Sequence, residues 1–282
     1  MLEIDQFTYG WLTPGLAYVM SVIGSLLALR CMVRARANPG HRGWIVTAAV
    51  ALGGTGVWVM HFIAMLGFSV HGATIRYNIP ITLISVAIAI VVVWIGLSLV
   101  LRRGTSALLT GGTVTGVGVA AMHYAGMYAM KTDVAMRYDP WLVLISIAIA
   151  VVAATAALWF ALHVQDLPAT IGSAMIMGVA VCGMHYTGMY SMQAHMSDHM
   201  HAPSGAQAGQ LLTPLIIGVS MVTLLLFLQV AITDIHEPDL SRIRGQRASR
   251  YWPSHSTHAG TDEAGRVARH TYSPTDDRRH RH

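Results

Sequence analysis

The sequence predicts an all-α integral membrane protein: a seven-transmembrane-helix bundle built from three two-helix repeats plus a seventh helix. Three observations predict it. Only 11% of the 282 residues are charged, where a soluble globular domain carries about 25%. Seven windows, 12–34, 44–67, 80–101, 107–130, 141–162, 170–192 and 211–233, are apolar throughout. Each reaches the roughly 20 residues needed to cross the hydrocarbon layer. Finally, His61, His123 and His185 recur at a spacing of 62 residues, one in each of the second, fourth and sixth windows.

Taken in chain order, the first window reads as a span rather than a cleaved signal peptide, because the ten residues before it are acidic and lack a basic start. No window holds Asp, Glu or Lys in its interior, and the arginines stand at the ends. Pro14, Pro80, Pro140 and Pro214 are expected to open the odd-numbered helices, since proline costs little in a first helical turn. The loops joining spans 1–2 and 3–4 carry Arg30, Arg34, Arg36, Arg42, Arg102 and Arg103, against Arg76, Lys131 and Arg137 on the other side. By the positive-inside rule the N-terminus is expected outside and the C-terminus in the cytoplasm of a plasma membrane. Residues 1–235 then form the seven-helix membrane domain. Residues 236–282, polar and without apolar periodicity, are expected to be a disordered cytoplasmic tail, too short for a kinase or cyclase. Cys31 and Cys182 form no CxxC pair and are expected to pack in the spans.

Composition also excludes functions. The net charge of +5 follows the loop bias and comes without a basic stripe interleaved with aromatics, so no nucleic-acid partner is expected. A retinal pump needs a lysine inside the bundle, and Lys131, the one lysine, stands at a helix end. The spans hold no paired carboxylates and no nucleophile beside a base, so no enzyme is expected.

The chemistry lies in the repeated motif. Its copies read Met60-His61-Phe62-Ile63-Ala64-Met65, Met122-His123-Tyr124-Ala125-Gly126-Met127 and Met184-His185-Tyr186-Thr187-Gly188-Met189, with Gly54, Gly116 and Gly178 seven residues before each histidine. On a helix, each histidine shares a face with the methionine four residues later. The three even spans run in the same direction, so the histidines should lie at one depth, roughly 25 Å from the inner end, in the outer leaflet. A histidine inside the bilayer is costly and normally faces the bundle interior. Imidazole and thioether together suit copper, Cu(I) above all. Zinc would ask for cysteine, histidine and carboxylate. The candidate metal ligands are therefore His61, His123, His185, Met60, Met65, Met122, Met127, Met184 and Met189, with Tyr124 and Tyr186 behind them to orient the site or hydrogen-bond a ligand. The outer segment after span 6 adds Met192, His195, Met196, His199, Met200 and His201, a composition that fits metal capture; His71 is a further outer candidate.

At these motifs the chain resembles the MHYT family of bacterial membrane sensor domains, over roughly residues 8–235. The third copy, Met184-His185-Tyr186-Thr187, spells the family pattern in full; the second ends in Ala125, and the first has Phe62 and Ile63 in its last two places. The resemblance implies a sensor of oxygen, carbon monoxide or nitric oxide through a copper site, in a family whose members often carry cytoplasmic cyclic-di-GMP or kinase output domains; here, where the sequence departs from that pattern, output is expected to pass through a cytoplasmic signalling partner. Two other readings stay open: a copper carrier or loading protein, and a haem protein with His and Met as axial ligands. Packing of the three motifs without any ligand is the plainest alternative.

Overall fold

The computed structural model describes residues 3–37, 42–195 and 205–236. Seven helices in it are long and apolar enough to cross a membrane. They are α1 (Leu12–Ala37), α2 (Gly43–Leu66), α3 (Ile79–Val100), α4 (Thr105–Ala129), α5 (Pro140–His163), α6 (Leu167–Tyr190) and α7 (Ala208–His236).

Local chemistry sets the helix starts. The Asn78 side chain accepts a hydrogen bond from the Ile81 amide, and Asp139 accepts from Trp141 and Leu142. Pro80 and Pro140 follow these caps directly; each lacks an N–H that a first turn would leave unpaired. Pro14 likewise lies in the first turn of α1. Pro214 departs from the expectation: it sits inside α7, which begins earlier, at Ala208. Proline interrupts one backbone bond to the preceding turn, and here that break falls early in the helix.

Helices α1 to α6 close a ring. α1 packs on α2 and α6, and neighbours pair in turn from α2 through α6. Helix α7 lies against α2 and α1. The Thr55 and Thr223 hydroxyls bond to each other, and the Arg34 guanidinium donates to the Val230 carbonyl at 2.8 Å. Enclosed by α1, α3 and α7, α2 is 89% buried over its apolar stretch, against 22% for α5. Within it, Val50–Val59 is wound as a π-helix. Small residues permit the approach of its neighbours. A Cβ on Gly24 would fall 2.3 Å from the Gly56 nitrogen, and one on Gly53 would fall 2.6 Å from the Ala89 carbonyl oxygen.

The loops at the histidine end contain short antiparallel strands, which the helical reading did not anticipate. They are β1 (Ile4–Asp5), β2 (Ser69–Val70), β3 (Ile75–Tyr77), β4 (Met130–Thr132), β5 (Ala135–Tyr138), β6 (Met192–His195) and β7 (Ala206–Gln207). They pair across repeats: β3 of the first with β4 of the second, and β5 of the second with β6 of the third. β7 joins the free edge of β3, while the N-terminal β1 pairs with β2. Each repeat is thereby tied to the next at the end where the histidines lie.

Candidate metal centre

Each histidine sits near the C-terminal end of its helix, α2, α4 or α6, and each side chain is at most 1% exposed. The three converge. Their Nδ1 atoms are 3.0 Å apart for His61 and His185, 3.1 Å for His123 and His61, and 3.3 Å for His185 and His123. The rings meet edge to face, with interplanar angles of 77°, 80° and 85°, as the blades of a three-bladed propeller. The three histidines lie at one depth, as expected, and they meet at a single point, which the spacing alone left open.

The arrangement fits a cation. A tetrahedral ion with metal–nitrogen bonds of about 2.0 Å spaces its ligand nitrogens about 3.3 Å apart, close to the separations here. At these separations three unprotonated nitrogens would repel each other, a repulsion relieved by a proton shared between the rings or by a cation among them. Among the described residues, this is the one group of three or more His, Cys, Asp or Glu side chains arranged to hold a metal ion. Metal-bound histidine usually donates its other N–H to a carboxylate or carbonyl. Here the three Nε2 atoms have no hydrogen-bond partner among the described residues. Instead, two of them are seated on glycines of the following repeat: a Cβ on Gly126 would fall 2.3 Å from His61 Nε2, and one on Gly188 would fall 2.3 Å from His123 Nε2. The matching residue of the first repeat is Ala64.

The six candidate thioethers, Met60, Met65, Met122, Met127, Met184 and Met189, are all at most 2% exposed and belong to the same buried cluster. Met65, Met127 and Met189 lie one turn beyond the histidines toward the strand-covered end.

The two tyrosines differ. The Tyr124 hydroxyl is 2.6 Å from Ser146 Oγ, which itself donates to the Val143 carbonyl, so Tyr124 is the donor. Phe62 has no hydroxyl to do the same in the first repeat. There the Trp58 indole N–H donates to Ser85 Oγ at 2.9 Å, and Ser85 stands seven residues after the cap Asn78, as Ser146 does after Asp139. Tyr77 packs 6.2 Å from Phe62, and burial pushes its phenol up from its usual pKa. The Tyr186 hydroxyl is buried and without a hydrogen-bond partner among the described residues, while its ring lies 5.6 Å from Phe7.

Of the outer Met/His segment, Met196, His199, Met200 and His201 lie outside the described residues, as does the tail beyond His236. Met192 is buried at 5% exposure and, with His195, is part of β6, paired to Tyr138 and Ala135 of β5. These two are strand residues and stand outside the three-histidine cluster. His71 is exposed, in the turn between β2 and β3. Cys31 and Cys182 are free thiols, one buried and one half-buried.

One feature of the site was not anticipated from the motifs. A cavity of about 40 Å³ is lined by Val57, Val119, Val181, Thr115, Met177 and Met184 among others. The three valines each precede a histidine by four residues, so the cavity lies one turn from the triad, away from the strands. Val at this position recurs in all three repeats, and that recurrence was the available signal.

Along most of its length the chain matches known proteins. Residues 54–113, 116–174 and 178–239 each match the MHYT family, described as a bacterial signalling protein N terminal repeat. The chain belongs to this family of signalling membrane domains. It is 31% identical over 236 residues to the bifunctional diguanylate cyclase/cyclic di-GMP phosphodiesterase MucR of Pseudomonas aeruginosa, covering 80% of this chain and 34% of the relative. It is 32% identical to the cyclic di-GMP phosphodiesterase NbdA of the same organism, over 67% of this chain and 25% of that one. It is 29% identical to the signaling protein YkoW of Bacillus subtilis, over 67% and 24%. The chain thus spans about a third or less of the length of these relatives. No solved structure matches it.

Proposed function

We propose that the protein is a plasma-membrane sensor whose three histidines hold a copper ion, and that it responds to a diatomic gas (oxygen, carbon monoxide or nitric oxide) or to redox state. The convergence of three buried Nδ1 atoms to within 3.3 Å carries this reading. Copper would supply a reversible one-electron change and an open position for a small ligand. His61, His123 and His185 provide the nitrogen ligands. The buried methionines beside and one turn above them offer soft sulfur, which favours Cu(I).

The surrounding residues have separate tasks. Tyr124 is committed to Ser146, so its role is to stiffen α4 against α5. Tyr186 has an uncommitted hydroxyl and is the donor that a ligand with a polar end would meet. The valine-lined cavity of about 40 Å³ one turn away has an apolar lining and room for a molecule of diatomic size. Because each histidine sits on a different helix and two are seated on the next repeat, a change at the centre tilts the repeats against one another. In this reading the N-terminus faces outward, the C-terminus lies in the cytoplasm, and a cytoplasmic signalling partner reads the tilt. The chain itself performs no catalysis. The haem alternative is disfavoured by the geometry, since axial ligands stand on opposite faces of a macrocycle rather than edge to edge.

The test is metal analysis of the protein purified in mild detergent, beside the His61→Ala/His123→Ala/His185→Ala variant. Near-stoichiometric copper in the first and none in the second is expected. Absence of copper in the wild type after reconstitution would return the motifs to packing.

A further inference from the structure

At the opposite end of the bundle from the histidines lies a basin of about 1080 Å³. Its lining comes from α1, the start of α2, the α3–α4 turn and the end of α5, and includes Arg36, Arg42, Arg102, Arg103, His163 and the tryptophans Trp94 and Trp159. Among the described residues, no carboxylate lines it. Arg36 is partly committed, donating to the Leu162 and Val164 carbonyls at the end of α5. Arg42, Arg102 and Arg103 are exposed, and none of their guanidinium groups has a hydrogen bond or ion pair among the described residues. Among the described residues, no carboxylate compensates the cationic charge of the basin.

Two further observations give this charge a direction. The N-terminus of α4 opens into the same basin through Gly104, Thr105 and Leu108, and no side chain caps it. Its first amide groups and the helix dipole favour an anion there. Arg103 has φ 60 and is followed by Gly104 at φ 106. A left-handed conformation is costly for a residue with a Cβ, so arginine stands where glycine or asparagine would be cheaper, and the turn presents two adjacent guanidinium groups beside the helix start.

We propose that this basin seats the headgroup of an anionic phospholipid from the leaflet that borders these loops. Guanidinium groups and the α4 amides take the phosphate. The rim explains why a lipid is favoured over a soluble phosphate. Trp94, Trp159 and Val46 are 45%, 46% and 50% exposed on that rim. Half-exposed tryptophans are characteristic of the membrane interface, and an apolar rim suits acyl chains leaving a bound headgroup. Basic pockets between helices on the arginine-rich side of membrane proteins bind acidic lipids by the same physics. This site is independent of the metal centre.

The test takes the full chain in mild non-ionic detergent and titrates phosphatidylglycerol, phosphatidylcholine and inorganic phosphate, reading bound lipid by native mass spectrometry and the thermal midpoint. Phosphatidylglycerol is expected to bind about tenfold or more tightly than phosphatidylcholine, and the preference should weaken with added salt. In Arg42→Gln/Arg102→Gln/Arg103→Asn, whose new residue 103 tolerates the left-handed turn, the preference should shrink to about twofold or less. Equal binding of the two lipids by the wild type overturns the proposal. So does an undiminished preference in the variant, or displacement of phosphatidylglycerol by millimolar phosphate, which would mark a soluble phosphate site. If the triple variant does not fold, the wild-type titrations and the single exposed variant Arg102→Gln, expected to lose part of the preference, decide it.

Discussion

Helix α2 and helices α4 and α6 bring the same imidazole to the same point by different routes. α4 and α6 are regular α-helices that reach their histidines with a tyrosine behind them and, three residues on, a glycine. α2 is enclosed on most sides, passes through the π-wound stretch Val50–Val59, and carries Phe62 and Ala64 in those places. A π-helix turns less per residue than an α-helix, so equal sequence spacing does not give equal rotation. This shows in the glycines seven residues before each histidine. A Cβ on Gly116 would fall 2.4 Å from Val151 Cα and one on Gly178 2.8 Å from the Val22 side chain, but one on Gly54 would meet nothing closer than 3.9 Å. In α2 the close approaches move to Gly53 and to Gly56 against Gly24. What the three helices share is the point at which their imidazole nitrogens meet.

The largest test of this comparison removes one histidine at a time. Because the three nitrogens meet at one point, each of His61→Ala, His123→Ala and His185→Ala should abolish high-affinity copper, with an affinity loss of about 100-fold or more. Loss of a third of the copper per variant would mean three separate sites, and would break the shared-centre reading.

The glycine seats come next. Gly126→Ala and Gly188→Ala should displace the imidazoles of His61 and His123, costing about 1–3 kcal/mol by overpacking and weakening copper binding about tenfold. Ala64→Gly in the first repeat should leave copper content unchanged and lower stability by about 1 kcal/mol. Thermal denaturation and metal titration of the three variants side by side check the asymmetry.

The polar partners of the serines give smaller effects. Trp58→Phe and Tyr124→Phe each remove the donor to a buried serine and should cost about 1 kcal/mol beyond any packing change. Tyr186→Phe removes a hydroxyl that has no partner among the described residues, so its stability should change by about 0.5 kcal/mol or less. An altered gas response in Tyr186→Phe, read by the absorption of the copper-loaded protein, would separate its role from that of Tyr124.

Much of this was legible in the residues. The windows beginning near residues 12, 44, 80, 107, 141 and 170 fall on helices α1 to α6, because bilayer thickness imposes a length and composition that need no knowledge of neighbours. The seventh window found its helix but missed the start: Pro214 was read as an opening residue, whereas the chain enters the helix directly from β7. The caps Asn78 and Asp139 act locally and could have been read more fully. The short strands could not, since Ile75–Tyr77 depends for its partners on Met130–Thr132 and Ala206–Gln207, far away in the chain.

By itself the sequence determined that seven segments are long and apolar enough to cross a membrane, that three units repeat, and that one histidine per unit lies near the same end. These follow from hydrophobic length and from a motif repeated at a constant interval. Only the tertiary structure decided that the three Nδ1 atoms meet within 3.3 Å, that two imidazoles rest on Gly126 and Gly188, and that Arg42, Arg102 and Arg103 surround one basin. Those outcomes depend on how far each helix is rotated about its own axis and on how closely glycine lets neighbouring backbones approach. Both are set by packing among residues distant in sequence.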